Sequence, residues 1–397
     1  MSEQRIPLTL ATDPREWKSL LLAAAARGPT AIEETSEMIY VLRYREIERL
    51  LNEPRLRGVG LSLFDRMGIT HGPLRDWYGA LMFSNDGASH DRLRRLVSKA
   101  FTPRAVERLR PLAAARVAER LAGVREAGAG DLVAAFAGVP MQVMCSLLGV
   151  PASAVPEFRA WVDALSPVFL FMEPGQIAQA TAAIEKLLAY LRELVEQRSQ
   201  APADDLMTSL LRAEHAGDRL TRGETVTMVA NLLVGGHDTT ASQIGCTLLT
   251  LLDQPGVLAE IRSDASLLPA ALSETLRVEP SIAAAPRSVL EPIEIGGTLR
   301  PAGSVVMCSF LTANRDPEVW AVPDAFDARR FAHPGAPRLL SFGGGPHYCL
   351  GAALARMTLE EVIRGVSELA PELSADPDDI EWVQLLGRSP SRLPVKV

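Results

Sequence analysis

Apolar residues recur at helical spacing along most of this chain, in blocks that proline and glycine separate. The longest predicted helix begins at a capping box of Thr221 and Glu224 and ends at Leu252. Further helices are predicted over residues 16–27 and 45–52. Residues 130–215 form a stretch of successive helices that includes 155–165 and 176–198. Short strand-like pieces lie at 31–32, 38–42 and 293–307. The pattern predicts a mainly α fold with small β-sheets.

Two segments interrupt the helical pattern. Between Gly58 and Gly87 the periodicity is lost, and a group of large side chains collects there: Phe64, Met67, Trp77, Tyr78, Leu81, Met82 and Phe83. Such a segment either packs into the core or forms a lid that contacts a substrate, and the sequence leaves both interpretations open. The second interruption, at Pro174 and Gly175, is a hinge at which a lid could move.

Composition narrows the class of protein. No linker rich in Pro, Gly or Ser divides the 397 residues, which favours a single domain over 1–397. With 47% hydrophobic residues and a net charge of -7, the chain has no bulk electrostatic reason to bind nucleic acid or an anionic membrane. The four cysteines are far apart, which is typical of a reducing compartment. The apolar run at 20–26 is too short for an export signal, and no run approaches the roughly 18 residues of a membrane span. We therefore expect a cytoplasmic protein.

The glycine-rich stretch at 341–351 presents one cysteine, Cys349, just before a helix predicted from Ala352 to Leu369. The positive end of that helix and the loop amides would stabilise a thiolate. A thiolate in such a place suits an axial ligand of haem iron. A buried free cysteine is the alternative. A zinc site is disfavoured because His347 and Cys349 have no second pair of ligands near them.

The loop resembles the haem-ligating signature of the cytochromes P-450 through Phe342, Gly343, Gly345, His347, Cys349 and Gly351. The resemblance implies the single-domain cytochrome P-450 fold of the soluble bacterial type. It also implies haem b as cofactor, with Cys349 as the iron ligand and with Phe342, Gly343 and His347 beside it. One departure is Leu339, where the family often has a histidine.

The middle of the long helix breaks the rules for a buried helix, since it contains Gly235, Gly236, Asp238 and Thr239. The glycines would let a flat cofactor approach, and the Thr239 hydroxyl could bond a backbone carbonyl and open the helix locally. On the resemblance, Thr239 donates a hydrogen bond to dioxygen and Asp238 relays protons. The alternative is that Asp238 and Thr239 only form a kink in the helix and hydrogen-bond to the helix backbone. Helical spacing places Asn231 and Val234 on the same face, where they would contact substrate. Asn231 could instead bond another buried polar group.

Other parts of the cofactor site come from the resemblance. His90 and Arg94 share one helix face and, with Arg287, would bind the haem propionates. Ala283 and Ala285 would line the substrate pocket. Without the cysteine loop, His90 and Arg94 would be interpreted as ordinary surface charges.

The opposite face of the His90 helix carries Arg92, Arg95 and Lys99. This basic stripe predicts a dock for a ferredoxin-type electron donor, with an ordinary solvated face as the alternative. The spacing of Glu274 and Arg277, followed by Arg330, resembles the family's buried ion network, which we interpret as structural.

Together these features predict a haem-thiolate monooxygenase. It would insert one atom of O₂ into a bulky, mostly apolar small molecule, such as a terpenoid, polyketide or steroid-like compound, by hydroxylation or epoxidation. Two electrons would arrive through a ferredoxin. The alternatives are a haem-binding sensor or carrier without turnover and a peroxide-driven oxygenase. The pair of Asp238 and Thr239 disfavours a sensor, which has no need of proton delivery to cleave the O–O bond. On the resemblance it also disfavours a peroxide-driven oxygenase, because peroxide-using members of the family usually lack such a pair.

Overall fold

The computed structural model describes residues 3–11, 13–169, 172–215, 217–254, 256–369, 373–384 and 388–397. Helices dominate it. The helices are α1 Pro14–Arg27, α2 Tyr44–Leu50, α3 Ser62–Arg66, α4 Pro73–Gly79, α5 Gly87–Ala100, α6 Pro103–Glu107, α7 Arg110–Ala127, α8 Leu132–Phe136, α9 Val139–Leu148, α10 Val155–Leu165, α11 Pro174–Gln200, α12 Leu206–Arg212, α13 Arg222–Leu252, α14 Val257–Ser263, α15 Leu268–Val278, α16 Phe310–Ala313 and α17 Ala352–Ser367.

The strands are short and lie mostly in the first and last thirds of the chain. They are β1 Arg5–Ile6, β2 Thr30–Glu33, β3 Ile39–Val41, β4 Leu56–Arg57, β5 Ala129–Asp131, β6 Glu214–His215, β7 Asp218–Arg219, β8 Ala284–Val289, β9 Ile293–Ile295, β10 Thr298–Arg300, β11 Val305–Ser309, β12 Ser374–Ala375, β13 Glu381–Gln384, β14 Arg388–Arg392 and β15 Pro394–Lys396.

The largest sheet joins distant parts of the chain, in the order β1-β2-β3-β11-β8-β4. β11 pairs with β3 in parallel and with β8 antiparallel, with Val306 opposite Arg287. The small sheets elsewhere are β12-β15-β5 and the hairpins of β9 with β10, β13 with β14, and β6 with β7. The predicted mainly α fold with small β-sheets is confirmed.

Helix α13 is the central element of the fold. The predicted capping box is present: the Thr221 hydroxyl accepts from the Glu224 amide at 3.1 Å, and the Glu224 carboxylate accepts from the Thr221 amide at 2.8 Å. Its 31 residues extend over about 45 Å at the normal helical rise. Because α9, α11, α15 and α17 pack around it, most of its side chains are buried. The side chains and glycines that remain accessible on this helix are therefore candidates for function.

The segment without periodicity is more regular than the sequence predicted. It contains α3 and α4, and α4 begins at Pro73, whose fixed φ and missing N–H suit a first helical position. Phe64, Trp77 and Tyr78 are almost completely buried, which supports the core-packing interpretation for this part. A short 3-10 helix, Ser166–Phe169, follows α10.

Within the described residues, no single helix has both the length and the apolar character needed to cross a membrane. Helices α13 and α14 pass that test only when the two are taken together as a bent pair.

Candidate active site

The cysteine loop is shaped by its glycines. Gly343 and Gly345 have φ of +70° and +61°, in the left-handed region that side chains disfavour. A Cβ on Gly345 would also lie 2.1 Å from the carbonyl oxygen of Leu51, at the end of α2. The Cys349 amide closes the loop by donating to the Phe342 carbonyl at 3.0 Å. The predicted role of these glycines in holding the cysteine is therefore supported by backbone geometry.

The Cys349 thiol lies in an accessible recess that protein atoms largely surround, three residues before α17 begins. Burial raises the pKa of the thiol, while hydrogen bonds from the backbone amides of Gly351 and Ala352 and the charge of Arg94 oppose that rise. The amides and the guanidinium thus favour negative charge on sulfur, as the sequence predicted, but burial outweighs them. Binding to a metal ion would deprotonate such a thiol outright.

On α13, Gly235 and Thr239 form an open part of the helix surface. A Cβ on Gly235 would meet nothing within 4 Å, so the space beside this glycine is free. The Thr239 hydroxyl donates to the Gly235 carbonyl at 2.8 Å, as expected. The predicted local opening of the helix is wrong, since α13 is α-helical throughout and the added bond only supplements its backbone ladder. A Cβ on Gly236 would lie 2.4 Å from Met144 Cε, so this second glycine meets a packing requirement with α9.

Asp238 is held by polar neighbours on two helices. Ser166, in the 3-10 helix after α10, hydrogen-bonds to Asp238 Oδ2. His237 Nε2 lies 3.6 Å from Asp238 Oδ1 and 3.3 Å from Asp163 Oδ1 of α10. Burial raises the pKa of Asp238, and the contacts with Ser166 and His237 only partly offset that effect. This carboxyl group therefore retains a proton to higher pH than an exposed aspartate would.

Four nitrogen-bearing side chains predicted at the cofactor form one group. The rings of His90 and His347 are 4.3 Å apart between centroids, and His347 Nε2 lies 2.8 Å from Asp86 Oδ1. His90 is 2% exposed, and its Nε2 has no partner among the described residues. Neither Arg94 nor Arg287 forms an ion pair with a described carboxylate, although both are only half-exposed. One buried imidazole nitrogen and two half-buried guanidinium groups are therefore suited to bind an anionic group.

The predicted substrate positions divide into two groups. Asn231 lines a cavity of about 210 Å³ between α13, α5 and the segment after α4, together with Ala80, Met82, Leu93, Met228 and the first turn of α13. Val234 and Ala283 are 3% and 1% exposed and lie in the core, which does not support their assignment to the pocket. Ala285 is half-buried on β8. The structure thus places one of the four predicted residues beside open space.

The predicted ion network is present and fully enclosed. Two guanidinium nitrogens of Arg277 donate to the Glu274 carboxylate at 2.8 Å, and Arg330 adds a third bond at 3.1 Å. Arg277 also donates to the Asn314 carbonyl at 2.9 Å, and the Asn314 side chain bonds to Ser341, at the start of the cysteine loop. These bonds give the network the structural role that was predicted.

The predicted basic stripe on α5 is wrong for Arg92. Its guanidinium pairs with Asp218 of β7 at 2.7 Å and with Glu224 in the first turn of α13, and these contacts raise its pKa. Arg95 and Lys99 are exposed on the same helix. The stripe is therefore partly neutralised by the protein's own acidic groups.

Sequence reasoning missed several partners of the site, namely Asp86, Asp163, Ser166 and His237. Asp86 is 261 residues from His347, and Ser166 is 72 residues from Asp238, so no local pattern links them.

Comparison with known proteins agrees with this arrangement. The family profile described as Cytochrome P450 matches residues 63–364. Cytochrome P450 107B1 of Saccharopolyspora erythraea is 37% identical over 371 residues, covering 90% of this chain and 88% of that protein. The 6-deoxyerythronolide B hydroxylase of the same organism is 35% identical, covering 88% and 86%. The structure of cytochrome P450 CYP109Q5 from Chondromyces apiculatus superposes with a TM-score of 0.85 at 29% identity, covering 99% and 98%. The chain therefore belongs to the cytochrome P450 family, and it is an oxidoreductase.

Proposed function

We propose that this protein is a haem b monooxygenase that inserts one oxygen atom of O₂ into a bulky, mostly apolar small molecule. The observation that carries the proposal is the accessible Cys349 thiol at the start of α17, within the field of the half-buried Arg94. Haem, when bound, would supply the activation of O₂. The protein's own residues would hold the cofactor, position the substrate and deliver protons.

The side chains present fit a haem with two carboxylates. Cys349 offers the sulfur ligand, Gly235 leaves room on α13, and His90 Nε2 and the guanidinium groups of Arg94 and Arg287, which form no ion pair with a described carboxylate, offer hydrogen-bond donors to an anion. His347, held by Asp86, would complete the polar side of the site. This donor set explains why several buried or half-buried nitrogen groups lack carboxylate partners within the described chain.

Asp238 would supply protons where oxygen is reduced, and the Thr239 hydroxyl would accept a hydrogen bond there. The Thr239 hydroxyl is accessible, and its bond to the Gly235 carbonyl fixes the direction of its hydrogen while leaving lone pairs free to accept. Asp238 has a raised pKa and can act as a proton donor nearer neutral pH than an ordinary aspartate. This division of roles supports O₂-dependent turnover over simple haem storage.

The cavity at Asn231 supports an apolar substrate with one polar group. Its walls include Ala80, Met82, Leu93 and Met228, and the Asn231 amide is the polar side chain farthest along α13 toward Gly235. A relative that is 35% identical is named for the hydroxylation of 6-deoxyerythronolide B. We propose a terpenoid, polyketide or steroid-like compound as the substrate of this protein. We propose hydroxylation or epoxidation as the outcome.

A ferredoxin-type protein is the proposed electron donor. Because Arg92 is paired within the chain, the exposed Arg95 is the better candidate for attracting an acidic carrier on α5. The four cysteines are free, which supports the proposed cytoplasmic location.

Carbon monoxide binding to the reduced holoenzyme tests the proposal. We expect the strongly red-shifted absorption band of thiolate-ligated haem in the parent protein and in a Cys145→Ala control. Cys349→Ser should lose this band. A band that persists in Cys349→Ser would overturn the assignment of the iron ligand and, with it, the proposed function.

A further inference from the structure

A histidine and two carboxylates form a compact group between α10 and α13. The side chains of Asp163, His237 and Asp238 each offer one polar atom, and these atoms all lie within 4.8 Å of one another. His237 Nε2 is 3.3 Å from Asp163 Oδ1 and 3.6 Å from Asp238 Oδ1. A single imidazole nitrogen therefore faces both carboxylates.

The three side chains differ in exposure. The Asp163 side chain is 51% exposed and that of Asp238 is 35% exposed, whereas His237 is 3% exposed. Asp238 directly precedes Thr239 in the chain. His237 is thus the buried member of the group, and it connects an exposed carboxylate of α10 with the carboxyl group beside Thr239.

The surrounding charges are compatible with proton movement through His237. Arg159 of α10 lies with its Nε 3.6 Å from Asp163 Oδ2 and also acts on Asp238. Ser166 bonds to the other oxygen of Asp238, which leaves Oδ1 directed to His237. The described charged groups that act on this site are therefore Arg159 and Asp163 from α10 and Asp238 from α13. Two carboxyl groups and one arginine therefore surround the imidazole.

We propose that His237 is a positioning and proton-passing residue that acts through Asp238, with Asp163 as the entry point from solvent. A protonated Asp163 gives its hydrogen to Nε2 of His237, and the resulting imidazolium gives the Nε2 hydrogen to Oδ1 of Asp238. Nδ1 keeps its own hydrogen throughout, and no electrons are exchanged. Solvent then reprotonates Asp163. The inference rests on the proposed function, because protons are needed beside Thr239 only if oxygen is reduced there.

The first test needs no turnover. The chain has six histidines, so the ring hydrogens of the diamagnetic ferrous carbon monoxide form can be followed by NMR, with His237→Gln identifying the signal of interest. Asp163→Asn should slow the exchange of the His237 ring hydrogen with solvent severalfold, because it removes the carboxylate that passes this hydrogen. Glu157→Gln, which neutralises an exposed carboxylate of the same helix, should leave the exchange rate unchanged. An exchange rate in Asp163→Asn equal to that of the parent would overturn the proposal.

The second test separates proton passage from a purely structural contact. The rate of product formation, measured under a saturating electron supply, should be about tenfold lower in Asp163→Asn than in the parent. This loss is smaller than the usual contribution of a proton-transfer group because water can partly replace the Asp163 carboxylate. The loss should deepen with rising pH, carry an increased solvent deuterium isotope effect and be partly restored by formate. Glu157→Gln should behave like the parent.

The two levels of proposal fail in different ways. A holoenzyme that shows the thiolate carbon monoxide band and forms product, but in which Asp163→Asn matches Glu157→Gln in rate, isotope effect and formate response, would overturn the proton path alone. Loss of the band in the parent protein would instead remove the proposed function.

Discussion

His347 Nε2 lies 2.8 Å from Asp86 Oδ1, so the residue two positions before Cys349 contacts the residue that directly precedes α5. Both side chains are 17% exposed, which shields the pair from solvent. The same helix carries His90 and Arg94 on its inner side. The contact therefore fixes the cysteine loop relative to the helix that would hold the propionates.

We predict that Asp86→Asn weakens cofactor retention. The substitution replaces a charge-assisted hydrogen bond to His347 by a weaker neutral one. For a partly buried pair, we expect this change to cost about 1 kcal/mol. Haem transfer to an excess of an apoglobin would measure the loss, with a rate several times that of the parent expected. Asp76→Asn makes the same charge change at an exposed site and should have no effect. Equal transfer rates for the two variants would contradict the role given to Asp86.

Arg94 and Arg95 offer a matched pair for testing the anion site. Arg94 is half-buried, and burial lowers its pKa, whereas the neighbouring Arg95 is exposed. We expect Arg94→Gln to be purified with much less haem, because one carboxylate would lose its charged partner. Arg95→Gln should retain a full complement. The ratio of haem to protein, measured after identical purification, decides between these outcomes, and a full complement in Arg94→Gln would contradict the assignment.

Thr239→Ala should uncouple electron consumption from product formation. The variant lacks the hydroxyl that is held by the Gly235 carbonyl and that would accept a hydrogen bond from reduced oxygen. Without this contact, hydrogen peroxide should be released in place of product. Thr239→Ser keeps the hydroxyl and should stay close to the parent. Peroxide and product are measured against reductant consumed. A tightly coupled Thr239→Ala would show that the hydroxyl has no such part.

Local features of the site were predictable, whereas contacts between distant segments were not. The capping box of α13 and the start of α17 after Cys349 depend on residues within a few positions, so the sequence pattern contains them. Arg92 was assigned to a free surface because periodicity shows which side of a helix faces away from its core. It does not show that β7 and the start of α13 cover that side.

The same reason explains the uneven result on α13. Asn231 and Val234 have similar angular positions on the helix, but one lines a cavity and the other is packed in the core. Neighbouring helices decide which positions meet open space, and their arrangement depends on contacts that no periodicity encodes. Gly236 is a further case, since its partner is Met144 of α9.

Arg277→Leu should strongly destabilise the fold. Arg277 and Glu274 are both fully buried, so removal of the guanidinium takes the bidentate partner from the Glu274 carboxylate and leaves it with Arg330, at a cost of about 3 kcal/mol. Arg329→Leu is the matched control, because its pair with Glu260 is 60% and 50% exposed and should be worth under about 1 kcal/mol. Urea unfolding followed by circular dichroism gives both values. A loss below 1 kcal/mol for Arg277→Leu would show that the network is dispensable.

Glu33 should make stability depend on acid pH. Burial alone would raise its pKa, but hydrogen bonds from the amide and hydroxyl of Ser36 and the amide of Thr9 outweigh that effect and lower the pKa to about 2. The unfolded chain, with a glutamate pKa near 4.5, then binds more protons than the folded protein at intermediate pH. The stabilisation is therefore complete above 4.5 and is lost as pH falls toward 2. Urea midpoints at a series of pH values should show parent and Glu33→Gln converging as acid is added, while the exposed Glu34→Gln stays parallel to the parent. A constant difference between parent and Glu33→Gln across this range would mean that Glu33 is protonated equally in the folded and unfolded chains.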